Sequence, residues 1–170
     1  QLFPKRRIVY FKITCTITSY QPQADDWKDF TDLDFRLAVS VTPKGGKPVL
    51  GVCFGGQLIA QAMGGSVAPA AQCEIGWKDI WSDRPDIVGN GPWFQFHYDH
   101  WQVPAGAVEI ARNPIASQAF LINNSMAIQF HPEVTAASLD GWLVWGGDKK
   151  VVEDGQDPAV MMAQTEAYEA

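Results

Sequence analysis

The sequence predicts an α/β domain, and three observations predict it. A short apolar run, Pro48-Val49-Leu50, enters the stretch Gly51-Val52-Cys53-Phe54-Gly55-Gly56-Gln57 and leaves it through the helical pattern Leu58-Ile59-Ala60-Gln61-Ala62-Met63: strand, sharp turn, helix. Three later runs, Val108 to Arg112, Gln118 to Ile122 and Met126 to Phe130, have the length and apolar content of strands. Helical spacing returns after Thr135 and again after Asp157.

Taken in order, Gln1 to Gln23 has the alternation of a strand from Ile8 onward and contains no glycine. Asp25 or Asp26 is expected to cap a helix carrying Trp27, Phe30, Leu37, Ala38 and Val41, which Pro43 and Gly45-Gly46 end. Pro48 to Val52 is short and continuously apolar, as a buried parallel strand should be. Gly56 to Met63 is a helix closed by Gly64-Gly65. Glu74 to Trp81 reads as a strand, the turn-rich Ser82 to Pro92 as a loop, and the alternating Phe94 to Trp101 as a strand at the rim of a site. Asn123-Asn124 is a hairpin signal between the last two short strands. Thr135 should cap a helix carrying Leu139, Trp142, Leu143 and Trp145, with Gly146-Gly147 at its end. Gly146 to Gln156 is expected to be a polar connection, and Asp157-Pro158 opens a terminal helix containing Met161 and Met162.

Two motifs carry chemistry. Cys53 stands at the apex of the strand-turn-helix, flanked by small glycines, as the thiol counterpart of a nucleophile elbow. A helix N-terminus favours negative charge there, which is the state a sulfur nucleophile needs. The second motif is Gln129-Phe130-His131-Pro132-Glu133 at the end of an apolar strand. A cysteine nucleophile needs a base, and the base needs a group that fixes its tautomer. On extended backbone, His131 and Glu133 point to the same side, so Glu133 can hold one imidazole nitrogen while the other faces Cys53.

These two motifs together resemble those of a class I (triad) glutamine amidotransferase domain, closest to stand-alone bacterial relatives of the GMP synthase amidotransferase domain. Glu74-Ile75-Gly76-Trp77, Phe94-Gln95-Phe96-His97-Tyr98-Asp99, Ala111-Arg112-Asn113 and Gln118-Ala119-Phe120 extend the likeness. The resemblance implies a flavodoxin-like three-layer fold with a central, mostly parallel sheet. It implies attack of Cys53 on the glutamine side-chain amide, a γ-glutamyl thioester, and release of ammonia and then glutamate. His131 would be the general base and acid, and Glu133 the orienting carboxylate. The backbone N–H of Phe54 would donate to the oxyanion, while Gln57 and the backbone around Phe96 and His97 would hold the substrate. The resemblance covers 25–170. Residues 1–24 form an atypical segment in which Thr14 to Ser19 stands where the family carries a glycine-rich loop.

Composition suits one domain: 170 residues, 46% hydrophobic and 19% charged. A net charge of −6 argues against a nucleic-acid partner, which wants a basic face; Lys5-Arg6-Arg7 reads as a solvated end. No run of about 18 apolar residues suggests a membrane span. Cys15, Cys53 and Cys73 are an odd number without disulfide spacing, which points to a reducing cytoplasm. No cofactor is expected. A metal site from His97, His100, Asp99 and His131 is disfavoured, because His97 and His100 on one strand face opposite ways; His100 is expected at the surface. Trp77, Trp142 and Trp145 are expected in the core, with Trp93 and Trp101 as candidate contacts at the rim. Three functions remain: a glutaminase that passes ammonia to a separate synthetase subunit, a stand-alone γ-glutamyl hydrolase, and a catalytically silent interaction domain.

Overall fold

The computed structural model describes residues 48–169. The expectations for the segment up to Gly46 therefore lie outside the described residues. The chain runs β1 (Val49–Val52), α1 (Phe54–Ala62), β2 (Ser66–Lys78), β3 (Trp81–Ser82), β4 (Trp93–Gln102), β5 (Val108–Arg112), β6 (Ser117–Ile122), β7 (Ser125–Ile128), α2 (Ala136–Trp142), α3 (Asp148–Glu153) and α4 (Pro158–Glu169).

Five strands form one sheet in the order β1-β7-β6-β5-β3, and β2 pairs with β4 as a separate two-stranded ribbon. The mixed α/β architecture with a central sheet stands. Within the described residues, parallel pairing belongs to β1 and β7 alone, and the other ladders are antiparallel. For β6 and β7 the reason is connection length. A two-residue turn can reverse a chain but cannot carry it back to start a parallel strand. Asn123-Asn124 is such a turn, with Asn123 at φ 50, and it sets Ile122 opposite Ser125.

Alternation on β6 and β7 separates the two sides of this sheet. Phe120, Ile122 and Ala127 face Ile59 and Ala60 of α1 together with Trp101. Ala119, Met126 and Ile128 face the other way, toward Ile80, Val88 and Phe130. Ile110 and Ala111 join that same cluster although adjacent in sequence, because the β5–β6 register shifts between Glu109 and Ala111. A third cluster, Ile75, Phe94, Leu139, Val151 and Met161, fills the space between the ribbon and the C-terminal helices. Trp77 and Phe94 meet edge to face within it.

Several expectations change. The strand expected over Glu74 to Trp81 starts earlier, at Ser66, and stops at Lys78. Its first part escapes a pattern search because the run is small, holds Pro69, and loses register with β4 between Pro69 and Glu74. Thr135 caps α2 as expected and accepts from Ser138 N–H in a capping box, but the helix ends at Trp142. The chain then kinks between α2 and α3, with Trp145 and Gly146 out of helical conformation and Gly146 at φ 101. The kink turns Trp145 outward to 91% exposure, so that residue is not core. The expected polar connection also contains a helix, α3, anchored by the buried Val151. Trp101 packs inward on Phe120, the partly buried Trp93 stacks on Phe130 and lines a cavity with His131, and His100 is half-buried with a covered Nδ1.

Candidate active site

The parallel pair β1–β7 builds the site. Val52 lies beside Ile128, so both strands end at the same edge of the sheet. Ligands favour the carboxyl ends of parallel strands. Cys53 follows the first strand, and Gln129 to Glu133 follow the second. The Cys53 N–H donates to the Ile128 carbonyl at 2.8 Å, which ties the two ends together.

Cys53 has φ 47 and ψ −110, a conformation that costs a non-glycine residue about 1–3 kcal/mol. Two of the three glycines make the turn possible, for reasons of space. A Cβ on Gly51 would stand 2.6 Å from the Gly55 carbonyl carbon and 2.7 Å from the Gly56 nitrogen. A Cβ on Gly56 would stand 2.9 Å from both the Ile128 carbonyl oxygen and the Trp101 ring. Gly55 faces open space instead. The first helical hydrogen bond of α1 runs from Gln57 N–H to the Cys53 carbonyl, so the N–H groups of Phe54, Gly55 and Gly56 lie ahead of the helical ladder.

His131 Nδ1 meets Glu133 Oε1 at 2.8 Å, and Cys53 lies near enough to the ring to raise its pKa. Trp142 packs edge to face on the imidazole at 5.0 Å. Burial alone would lower the His131 pKa, but the bonds to Cys53 and Glu133 outweigh it and lift it to about 9. Burial pushes Glu133 upward, and the hydrogen bond and charge of His131 bring it below the usual carboxylate range. Its two neighbours therefore favour the protonated ring of His131, the form that results when the imidazole takes a proton from sulfur.

Behind the sulfur runs a line of buried polar side chains. Gln129 Nε2 lies 3.7 Å from Cys53 Sγ. Gln57 Nε2 donates to the Asp99 carbonyl at 3.1 Å and faces Gln129 Oε1 at 3.4 Å. His97 Nδ1 meets the same Asp99 carbonyl, and its Nε2 meets Gln95 Oε1. Gln95 donates to Gln118, and Gln118 and Asn113 donate to Glu74. Burial drives the pKa of His97 down to about 4 and that of Glu74 upward.

The structure thus brings Cys53, His131 and Glu133 together, with Gln57 one helical turn from the sulfur. The Phe96 side chain meets this group through Trp142, and the His97 side chain turns into the core. Gln129 lies within the second motif, where the sequence assigns it no role, and the spacing of Trp142 predicts packing alone. The usable signal was polar: Gln95, Gln118 and Gln129 interrupt strands or strand ends that are otherwise apolar, and buried polar groups need partners.

The sequence model of the family described as "Glutamine amidotransferase class-I" matches residues 34–143. The chain belongs to the class I glutamine amidotransferase family. Among curated relatives, the GMP synthase [glutamine-hydrolyzing] of Aliarcobacter butzleri is 41% identical over 101 residues, covering 52% of this chain and 19% of the relative. That of Aromatoleum aromaticum is 36% identical over 107 residues, 53% of this chain and 20% of the relative. The matches span about a fifth of those relatives' length. A solved glutamine amidotransferase from Thermotoga maritima shares the fold with a TM-score of 0.66 at 26% identity, covering 74% of this chain and 57% of that one. One from Methylobacillus flagellatus gives 0.56 at 32%, covering 60% and 45%. Among the described residues, no helix of this family member is long and apolar enough to cross a membrane.

Proposed function

We propose that this chain hydrolyses the side-chain amide of glutamine, or of a related γ-glutamyl compound, with Cys53 as nucleophile. The observation that carries the reading is the Cys53–His131–Glu133 constellation at the joined ends of β1 and β7. The Cys53 proton passes to His131, and the sulfur pair forms a C–S bond at the amide carbon. The C–N bond then breaks, and the leaving nitrogen takes the His131 proton as ammonia departs. Water attacks the γ-glutamyl thioester, gives a proton to His131, and the C–S bond returns its pair to sulfur as glutamate leaves. Glu133 holds the imidazole in the required tautomer. The Phe54 N–H at the start of α1 donates to the oxyanion. Gln57 and the backbone around Phe96 and His97 hold the α-amino and α-carboxylate groups.

The ammonia acceptor belongs to a separate synthetase subunit in this reading. Its support is the class of relatives, which are named as glutamine-hydrolysing GMP synthases and extend well beyond the matched segment. A reducing compartment such as the cytoplasm keeps the Cys53 thiol in working form. The test is glutamate release from L-glutamine by the purified chain beside Cys53→Ala and Cys53→Ser. Release that depends on Cys53 is the expected result. Release that persists in either variant overturns the assignment, and release from a γ-glutamyl amine but not from glutamine makes the chain a γ-glutamyl hydrolase.

A further inference from the structure

We propose that Gln129 is a catalytic hydrogen-bond donor to the Cys53 sulfur, and that Gln57 is the positioning residue that aims it. This rests on Cys53 being the nucleophile. The argument begins at the Asp99 carbonyl, a backbone acceptor that cannot be turned round. Gln57 approaches it at 3.1 Å, so the Gln57 amide must present its NH2 side. That same NH2 faces the Gln129 amide at 3.4 Å, so Gln129 must present its oxygen to Gln57. The Gln129 NH2 is then directed to Cys53 Sγ, 3.7 Å away, within reach of the larger sulfur acceptor. Reversing Gln129 would set NH2 against NH2 at one end and an oxygen lone pair against sulfur at the other. Both glutamines are buried, Gln129 completely, so water does not compete for these groups.

A donor on sulfur favours its charged form. It acts twice in the proposed cycle, when the thiolate forms before attack and when sulfur regains its electron pair as the thioester breaks. The His131 imidazolium supports the sulfur from the other element at this sheet edge, with Glu133 behind it. The nearest further titratable ring in the polar line, His97, is neutral at pH 7 because burial holds it at about 4.

The test is the pH dependence of Cys53 alkylation by iodoacetamide in the full chain, followed by mass spectrometry of the Cys53 peptide so that Cys15 and Cys73 do not contribute. The variants are Gln129→Met, which keeps length without a donor, and Gln57→Met, which removes the aiming group. Folding of each is checked by circular dichroism. Gln129→Met is expected to move the alkylation midpoint upward by about one pH unit, with labelling below the midpoint about tenfold slower. Gln57→Met should move it in the same direction by less. A folded Gln129→Met chain with the wild-type profile overturns the proposal. If that variant does not fold, a wild-type profile in folded Gln57→Met overturns it instead. Failure of the proposal alone leaves Cys53-dependent glutamate release in the wild type. Failure of the underlying reading removes that release altogether.

Discussion

Replacing Glu133 by Gln tests how much of the His131 charge comes from its neighbour. His131 titrates at about 9 against an ordinary value of 6.5. The gap corresponds to roughly 3 kcal/mol in favour of the charged ring. Cys53 and Glu133 supply it together against burial. The Glu133 side chain is 54% exposed, so solvent screens its part, and we assign it about 1 kcal/mol. Glutamine keeps an oxygen toward Nδ1 and removes only the charge. The sign follows from the raised value. The stabilisation is fully present below pH 6.5 and is lost as the pH rises through 9. At the acid end it also fades once Glu133 itself takes up a proton, below the ordinary 4.5. Urea unfolding at fixed ionic strength should therefore show Glu133→Gln less stable than wild type by about 1 kcal/mol at pH 6, with no difference at pH 10. Equal losses at both pH values would refute the reasoning, because a charge-independent effect would then account for the change.

Other outcomes follow from the same geometry. Gly51→Ala places a Cβ against the backbone of the nucleophile turn and should cost about 3 kcal/mol and abolish glutamate release; Gly55→Ala meets open space and should leave stability within about 1 kcal/mol, as thermal melts will show. Trp142→Ala removes the ring packed on His131 and should lose about 3 kcal/mol and slow turnover, whereas Trp145→Ser on the exposed turn should change stability by less than about 0.5 kcal/mol. Glu74→Gln should be tolerated within about 1 kcal/mol in chemical denaturation, while Glu74→Ala should cost about 2 kcal/mol or more. The reason lies in His97, whose two nitrogens face acceptors when the amides of Gln95 and Gln118 are oriented as in the structure. That arrangement needs a buried imidazolium and a buried carboxylate. Reversing both amides and protonating Glu74 satisfies every group with a neutral His97, and burial favours that state at both ends.

Much of this site was legible in the chain. The elbow around Cys53 and the His131-Pro132-Glu133 end were readable because each is local, a strand followed at once by a chemically distinctive turn. The short strands from Val108 to Ile128 were readable because apolar runs and turn residues alternate there. The early half of β2 was not, since Ser66 to Cys73 carries neither alternation nor large apolar groups, and its strand state comes from pairing with β4. Trp145 misled because a tryptophan at helical spacing predicts a buried face, while a turn containing a positive-φ glycine changes the phase of the helix. The amide line from Gln129 to Glu74 joins residues far apart in sequence, and only the fold puts them in contact.

The hydrogen bond from Cys53 N–H to the Ile128 carbonyl makes the site a reporter of assembly. Nucleophile and imidazole lie 78 residues apart in the sequence, and they meet only when β7 docks beside β1. A chain cut in the loop between Ser82 and Trp93 would leave one fragment with the thiol and another with the base, each chemically inert. Recovery of glutamate release on mixing would then time the docking of β7 onto β1, with no label attached to either piece.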